Sequence, residues 1–205
     1  MQSILKRFDF RRPWAAFRSA RGCALVWLAL SLGASTPTLA EEIEGVEFAA
    51  EVKAREVPLR LNAVGLLRYM VFIKAYVAAL YLGPDVSPEQ ILDDVPRRLE
   101  IEYFYPIAQA DFVSSTEETI RKNLSAEEFA AVETDVAKFN ALYRSIEPGD
   151  RYALTYLPGI GTELALNGET LGVVPGTAFG RAVFSIWFGP AEIDASLKET
   201  LLQSR

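Results

Sequence analysis

The chain has 205 residues, half of them apolar, with 11% aromatic and 23% charged, the composition of an ordinary globular domain. It contains no histidine, and Cys23 is its only cysteine. Ser-His-Asp and Cys-His catalysis, zinc sites of the Cys/His type and histidine-ligated haem are therefore excluded.

The first forty residues read as a secretory signal peptide. Lys6, Arg7, Arg11, Arg12, Arg18 and Arg21 stand against one acid, Asp9. An apolar run over 24–33 follows, and the segment closes at Thr38-Leu39-Ala40. The run is about half of the ~20 residues that cross a bilayer, so the pattern predicts export rather than a stable membrane span. Cleavage near Ala40 would leave a periplasmic or secreted protein, with residues 41–205 as its one domain. Those 165 residues carry 15 basic and 26 acidic side chains, a net charge of −11, and no cysteine. A cysteine-free domain suits an oxidising compartment. The acidic balance argues against nucleic acid as a partner, because phosphate binding needs clustered lysine and arginine.

Residues 46–54 and 57–61 alternate and predict strands, followed by a long apolar stretch over 63–82. Arg68 and Lys74 within it, and its β-branched and aromatic content, favour buried sheet over a membrane helix. Ser87-Pro88-Glu89-Gln90 has the form of a capping box and predicts a short helix to about residue 95. Residues 99–105 alternate Leu99, Ile101, Tyr103 and Tyr105 against Glu100 and Glu102, a strand with one wet face. Helices are expected over 108–123 and from Ser125 to about 146, the second with a stripe at Phe129, Val132, Val136, Phe139 and Tyr143. A strand at 151–157 precedes a hairpin, 162–166 and 169–174, around Asn167-Gly168. A helix over 177–188 is apolar almost all round and should be buried, and an amphipathic helix over 193–202 ends the chain. Runs of strands and blocks of helices predict an α+β fold with an antiparallel sheet.

Arg68 is the first candidate for chemistry. Its guanidinium stays charged, and no acid lies within ten residues; the nearest are Glu56 and Asp85. It therefore finds an anion from a distant segment, a ligand or solvent. An arginine at a strand end or bulge, reaching water, is the other reading. Lys74 and Tyr76 share its face if the strand is unbroken. The acid pairs Glu100/Glu102 and Glu117/Glu118 match glycosidase carboxylates only in residue type, and a solvated face is the plainer reading.

Two stretches, RLNAVGLLRYMVFIKAYVAALYL at 60–82 and FGRAVFSIWFGPAEIDASLKETLL at 179–202, resemble the chalcone isomerase-like family. With the element order between them, the resemblance spans about residues 43–203. It implies an open-faced β-sandwich: a large antiparallel sheet covered by a layer of helices, with a ligand cleft between them and no cofactor. The family holds isomerases and non-catalytic fatty-acid binders. Arg68 falls at an arginine shared by both. Tyr76 falls where the isomerases carry a catalytic threonine and the fatty-acid binders a tyrosine. A tyrosine and an asparagine of the isomerases, seven residues apart, fall at Phe112 and Thr119, or, with a shift of four, at Thr116 and Asn123.

The resemblance thus implies a non-catalytic protein that binds a fatty acid or similar small-molecule amphipathic acid. Arg68, Tyr76, Phe112 and Thr119 are its expected ligand-binding residues, with Arg68 and Tyr76 meeting at one cleft to hold the carboxylate. A chalcone isomerase-type intramolecular lyase and an envelope accessory protein without a small ligand are the alternatives.

Overall fold

The computed structural model describes residues 39–69 and 73–203. Strands β1 (Leu39–Ile43) and β2 (Val46–Ala49) form a hairpin whose turn residues, Glu44 and Gly45, have φ of 55° and 81°. Seven further strands pair antiparallel in chain order: β3 (Glu51–Ala54), β4 (Val57–Tyr69), β5 (Ile73–Leu82), β6 (Arg97–Tyr103), β7 (Arg151–Leu157), β8 (Gly161–Leu166) and β9 (Glu169–Val174). Four α-helices accompany them among the described residues: α1 (Gln109–Asn123), α2 (Ala126–Asn140), α3 (Thr177–Phe188) and α4 (Ala195–Leu202). The expected α+β class with an antiparallel sheet is what forms.

Alternation along the strands builds two cores. Tyr76, Ala78, Leu80 and Leu82 of β5 point to the helices, as do Leu99 and Ile101 of β6. Val77, Ala79 and Tyr81 point the other way, where Val46 and Phe48 of β2 cover them. A strand buried on both faces reads as an unbroken apolar run, and this is why residues 63–82 are so hydrophobic. Helix α3 has Phe179, Val183, Phe184 and Phe188 buried, and it is enclosed by the sheet on one side and by α1 and α2 on the other. Helix α4 lies on β4 at Gly65, where a Cβ would stand 2.6 Å from Leu197. The Asn167-Gly168 turn is a hairpin with φ of 51° and 84°, the left-handed pair that this dipeptide accommodates.

Four boundaries differ from expectation. The 46–54 strand breaks after Ala49 into β2 and β3, which belong to different sheets. The helix expected over 87–95 is one 3-10 turn, Pro88–Gln90. Val95 precedes Pro96 and is kept from helical geometry, and the Asp93 and Val95 carbonyls accept from the Arg97 guanidinium instead. Strand β6 covers 97–103, not 99–105. Helix α2 keeps its stripe but stops at Asn140, and Tyr143 reaches the core from the following loop, which is tied back by the Ile107–Ile146 bridge.

The expected signal peptide lies outside the described residues except for Leu39 and Ala40, whose backbone begins β1; the expected cleavage point therefore falls inside that strand. No helix among the described residues is long and apolar enough to cross a membrane.

Candidate ligand-binding cavity

Helix α1 packs on α2 and α3 and roofs a space above the sheet. The cavity has about 1110 Å³ of empty space, its open mouth included. Leu99, Ile101, Leu154 and Leu164 form its floor, with Phe139 of α2 and Ile186 of α3 as walls. Its apolar lining, with a few polar groups among it, is that of a small-molecule site.

Aromatic rings line one end. Tyr76 and Tyr103 are direct cross-strand partners, with ring centroids 5.5 Å apart and edge to face. Tyr103 meets Phe112 at 5.5 Å, and Phe112 stacks on Tyr143 at 5.1 Å. Such contacts hold rings in place beyond what area burial alone gives. The hydroxyls are used unequally. Trp187 Nε1 donates to Tyr76 Oη at 3.2 Å, Thr116 and Tyr143 share a bond of 3.0 Å, and Tyr152 Oη is engaged with the Arg144 backbone. The Tyr103 hydroxyl has no hydrogen-bond partner among the described residues.

Burial pushes the phenols of Tyr76, Tyr103, Tyr143 and Tyr152 above their ordinary value. All four are therefore neutral donors at physiological pH. Asp111 and Glu118 of α1 also line the cavity, the latter accepting from Lys122 at 2.7 Å. Among the described lining residues there is no lysine or arginine.

The expected site residues do not all arrive together. Tyr76 and Phe112 line the cavity. Thr119 is buried and does not line it, its Oγ1 without a hydrogen-bond partner among the described residues. Of the shifted pair, Thr116 lines the cavity. Asn123 instead clamps α1 to the end of α3: Nδ2 donates to the Ser185 carbonyl at 3.1 Å, and Oδ1 accepts from the Ala191 amide at 2.8 Å.

Arg68 is separated from Tyr76 by a β-bulge. Leu67 pairs with Tyr76 and Arg68 with Lys74, so Ala75 is an extra residue on β5. Ala75 and Tyr76 both face the cavity, and the even-number parity linking Tyr76 to Lys74 and Arg68 is lost. Arg68 is half exposed on the opposite face and pairs with Glu44 at 3.5 Å; Lys74 pairs with the same carboxylate. The distant-segment counter-anion is thus Glu44, in the turn between β1 and β2.

The outer face also holds Glu100 and Glu102. Neither is a solvated acid: Glu100 accepts from Arg98 at 2.9 Å and Glu102 from Arg151 at 2.7 Å. The aromatic cluster itself had a partial signal in sequence. Alternation puts Leu99, Ile101 and Tyr103 on one face, yet Tyr103 reads there as an ordinary core ring. Tyr143, Tyr152 and Trp187 reach the cavity from three distant segments, and spacing gives no sign of that.

A large antiparallel sheet carrying helices over an apolar cleft defines an open-faced β-sandwich. The family described as chalcone isomerase-like matches residues 40–203, and the chain belongs to it. Among solved structures it is similar to a fatty-acid binding protein of Arabidopsis thaliana, with 16% identity and a TM-score of 0.62, over 77% of this chain and 92% of that one. A likeness at that identity is one of fold. The comparison with curated proteins gave no match.

Proposed function

We propose that this chain is an exported, non-catalytic binding protein for a fatty acid or similar amphipathic molecule. The ligand's apolar body lies between α1 and the sheet, and its polar end meets Tyr76 and Tyr103. The observation that carries this reading is the apolar cavity with hydroxyls gathered at one end. Each buried methylene contributes about 0.8 kcal/mol, so the chain of the ligand supplies most of the affinity and the phenols set its orientation. The fatty-acid-binding neighbour of the same fold supports the ligand class. By the resemblance, Tyr76 replaces the isomerases' threonine, and neither Phe112 with Thr119 nor Thr116 with Asn123 restores both their tyrosine and asparagine, which supports the absence of catalysis.

Mass spectrometry of lipids extracted from the purified protein tests the reading. A single-chain amphiphile recovered in near-stoichiometric amount is the expected result. Protein that carries no lipid and takes none up would contradict it, as would turnover of a chalcone above the spontaneous rate. For export, N-terminal sequencing of protein from the envelope fraction should give a chain beginning near Glu41; an intact Met1 on cytoplasmic protein would contradict it.

A further inference from the structure

We infer that the cavity takes its ligand with an uncharged polar end (a protonated carboxyl, an ester or an alcohol) and discriminates against the carboxylate anion. The inference rests on the ligand-binding reading above and concerns the chemistry of the head group alone.

Three observations support it. First, the donors at the polar end are phenols. Tyr76 Oη accepts from the Trp187 indole, which leaves its own hydrogen to donate, and the hydroxyl of its cross-strand partner Tyr103 has no partner among the described residues. Two neutral donors side by side suit a carbonyl, ester or hydroxyl oxygen.

Second, the ionisable groups lining that end are phenols and carboxylates, and the two cations behind them are engaged elsewhere. The Arg144 guanidinium, whose charge is felt at Tyr152, bonds the Ala141, Leu142 and Tyr143 carbonyls, and Lys122 pairs with Glu118. Tyr103, Tyr143 and Tyr152 approach from the sheet and the loop after α2, Asp111 and Glu118 from α1, and the charge of Asp194 is felt at Tyr76 from the segment before α4. No described lining residue is a cation. A carboxylate placed here would lose its hydration and meet no unengaged cation in the lining, so the bound acid holds its proton more tightly than in water.

Third, the cations at this end of the strand pair, Arg68 beside cavity-lining Leu67 on β4 and Lys74 beside cavity-lining Ala75 on β5, face away by alternation and share Glu44. The anion-binding arginine suggested by sequence is on the wrong face for this cavity.

The test is displacement of the neutral fluorophore N-phenyl-1-naphthylamine from the purified protein by decanoic acid, methyl decanoate and 1-decanol. At about pH 8, where the acid is ionised, the ester and alcohol should displace the probe at least as well as the acid. The acid should gain at least about tenfold in affinity as the pH falls to about 5, while the ester and alcohol hold constant. The double variant Tyr76→Phe/Tyr103→Phe should lower 1-decanol affinity by about tenfold, because both donors are lost.

Decanoate binding about tenfold more tightly than both neutral analogues at the higher pH would overturn the inference and leave the binding function intact. Unchanged 1-decanol affinity in the double variant would overturn the placement of the head group. Failure of all three compounds to displace the probe would overturn the binding function, and this inference with it.

Discussion

The indole Nε1 of Trp187 donates to the Tyr76 hydroxyl at 3.2 Å, joining α3 to β5 across the end of the cavity. The bond fixes the phenol's orientation and places the indole against any bound ligand. A chain beginning at Glu41 lacks Trp14 and Trp27, so Trp187 becomes its only tryptophan. Its emission should then shift when an apolar ligand fills the cavity. Emission that stays constant at saturating ligand would place the ligand elsewhere.

Arg68 makes the contrasting prediction. Its side chain is 48% exposed, and its pairing with Glu44 at 3.5 Å is a surface ion pair. Such pairs contribute about 0–1 kcal/mol, so Arg68→Ala should change unfolding free energy by less than about 1 kcal/mol. Ligand affinity should remain within about twofold of the parent protein. A loss of about tenfold or more for an acid alone, with the matching alcohol unaffected, would restore Arg68 as a head-group residue.

Arg97 is the structurally important arginine. It is fully buried between the rings of Tyr156 and Phe184, at 4.4 and 4.6 Å from their centroids. Burial pushes its pKa down to about 10, so it stays charged at neutral pH, held by the rings and by the Asp93 and Val95 carbonyls. Arg97→Ala leaves a void and an unpaired Val95 carbonyl, the Asp93 carbonyl keeping the Val95 amide, and should cost about 3–5 kcal/mol in urea unfolding. Arg97→Met fills most of the space and should cost less. Equal stability of the parent and the alanine variant would contradict this role.

The α2 N-terminus supplies a pH dependence. Ser125 Oγ accepts from the Glu128 amide at 3.2 Å, and the Glu128 carboxylate accepts from the Ser125 amide at 2.8 Å. That backbone bond, before all else, holds the Glu128 pKa below its usual value. A depressed carboxyl stabilises the fold above its unfolded pKa, and the contribution fades as pH falls through the lower folded value. Glu128→Gln should therefore flatten the acid limb of stability against pH, and Ser125→Ala should cost about 1 kcal/mol at neutral pH. Parallel curves for the parent protein and Glu128→Gln would contradict the assignment.

Much of the architecture was legible because local chemistry and fold agree. Asn167-Gly168 fits only a tight turn, Ser125 with Glu128 starts a helix, and the both-faces-buried strand β5 leaves an unbroken apolar run. The short helix after Ser87 failed because its cap signal was genuine but Pro96 bars helical geometry at Val95 and the Arg97 guanidinium takes the Asp93 and Val95 carbonyls. The site was legible in part. Tyr76 and Phe112 do line the cavity, but β4 ends at Tyr69 and β5 begins at Ile73, and the register across that break pairs Tyr76 with Leu67, which puts Arg68 on the other face. The bulge at Ala75 does the same for Lys74. No residue type marks that register or that bulge. Alternation likewise tells which side Tyr103 takes but not that space is left beside it, since packing between distant segments decides that.

The most direct test of the account is whether filling the cavity abolishes binding. Ser115 lines it from the half-buried face of α1, where a larger side chain can turn inward with little effect on the helix. Decanoic acid at about pH 5 should raise the melting temperature of the parent protein in a concentration-dependent way, and Ser115→Trp should keep the fold by circular dichroism but lose at least about tenfold in affinity. Undiminished binding by a folded Ser115→Trp protein would contradict the cavity as the ligand site.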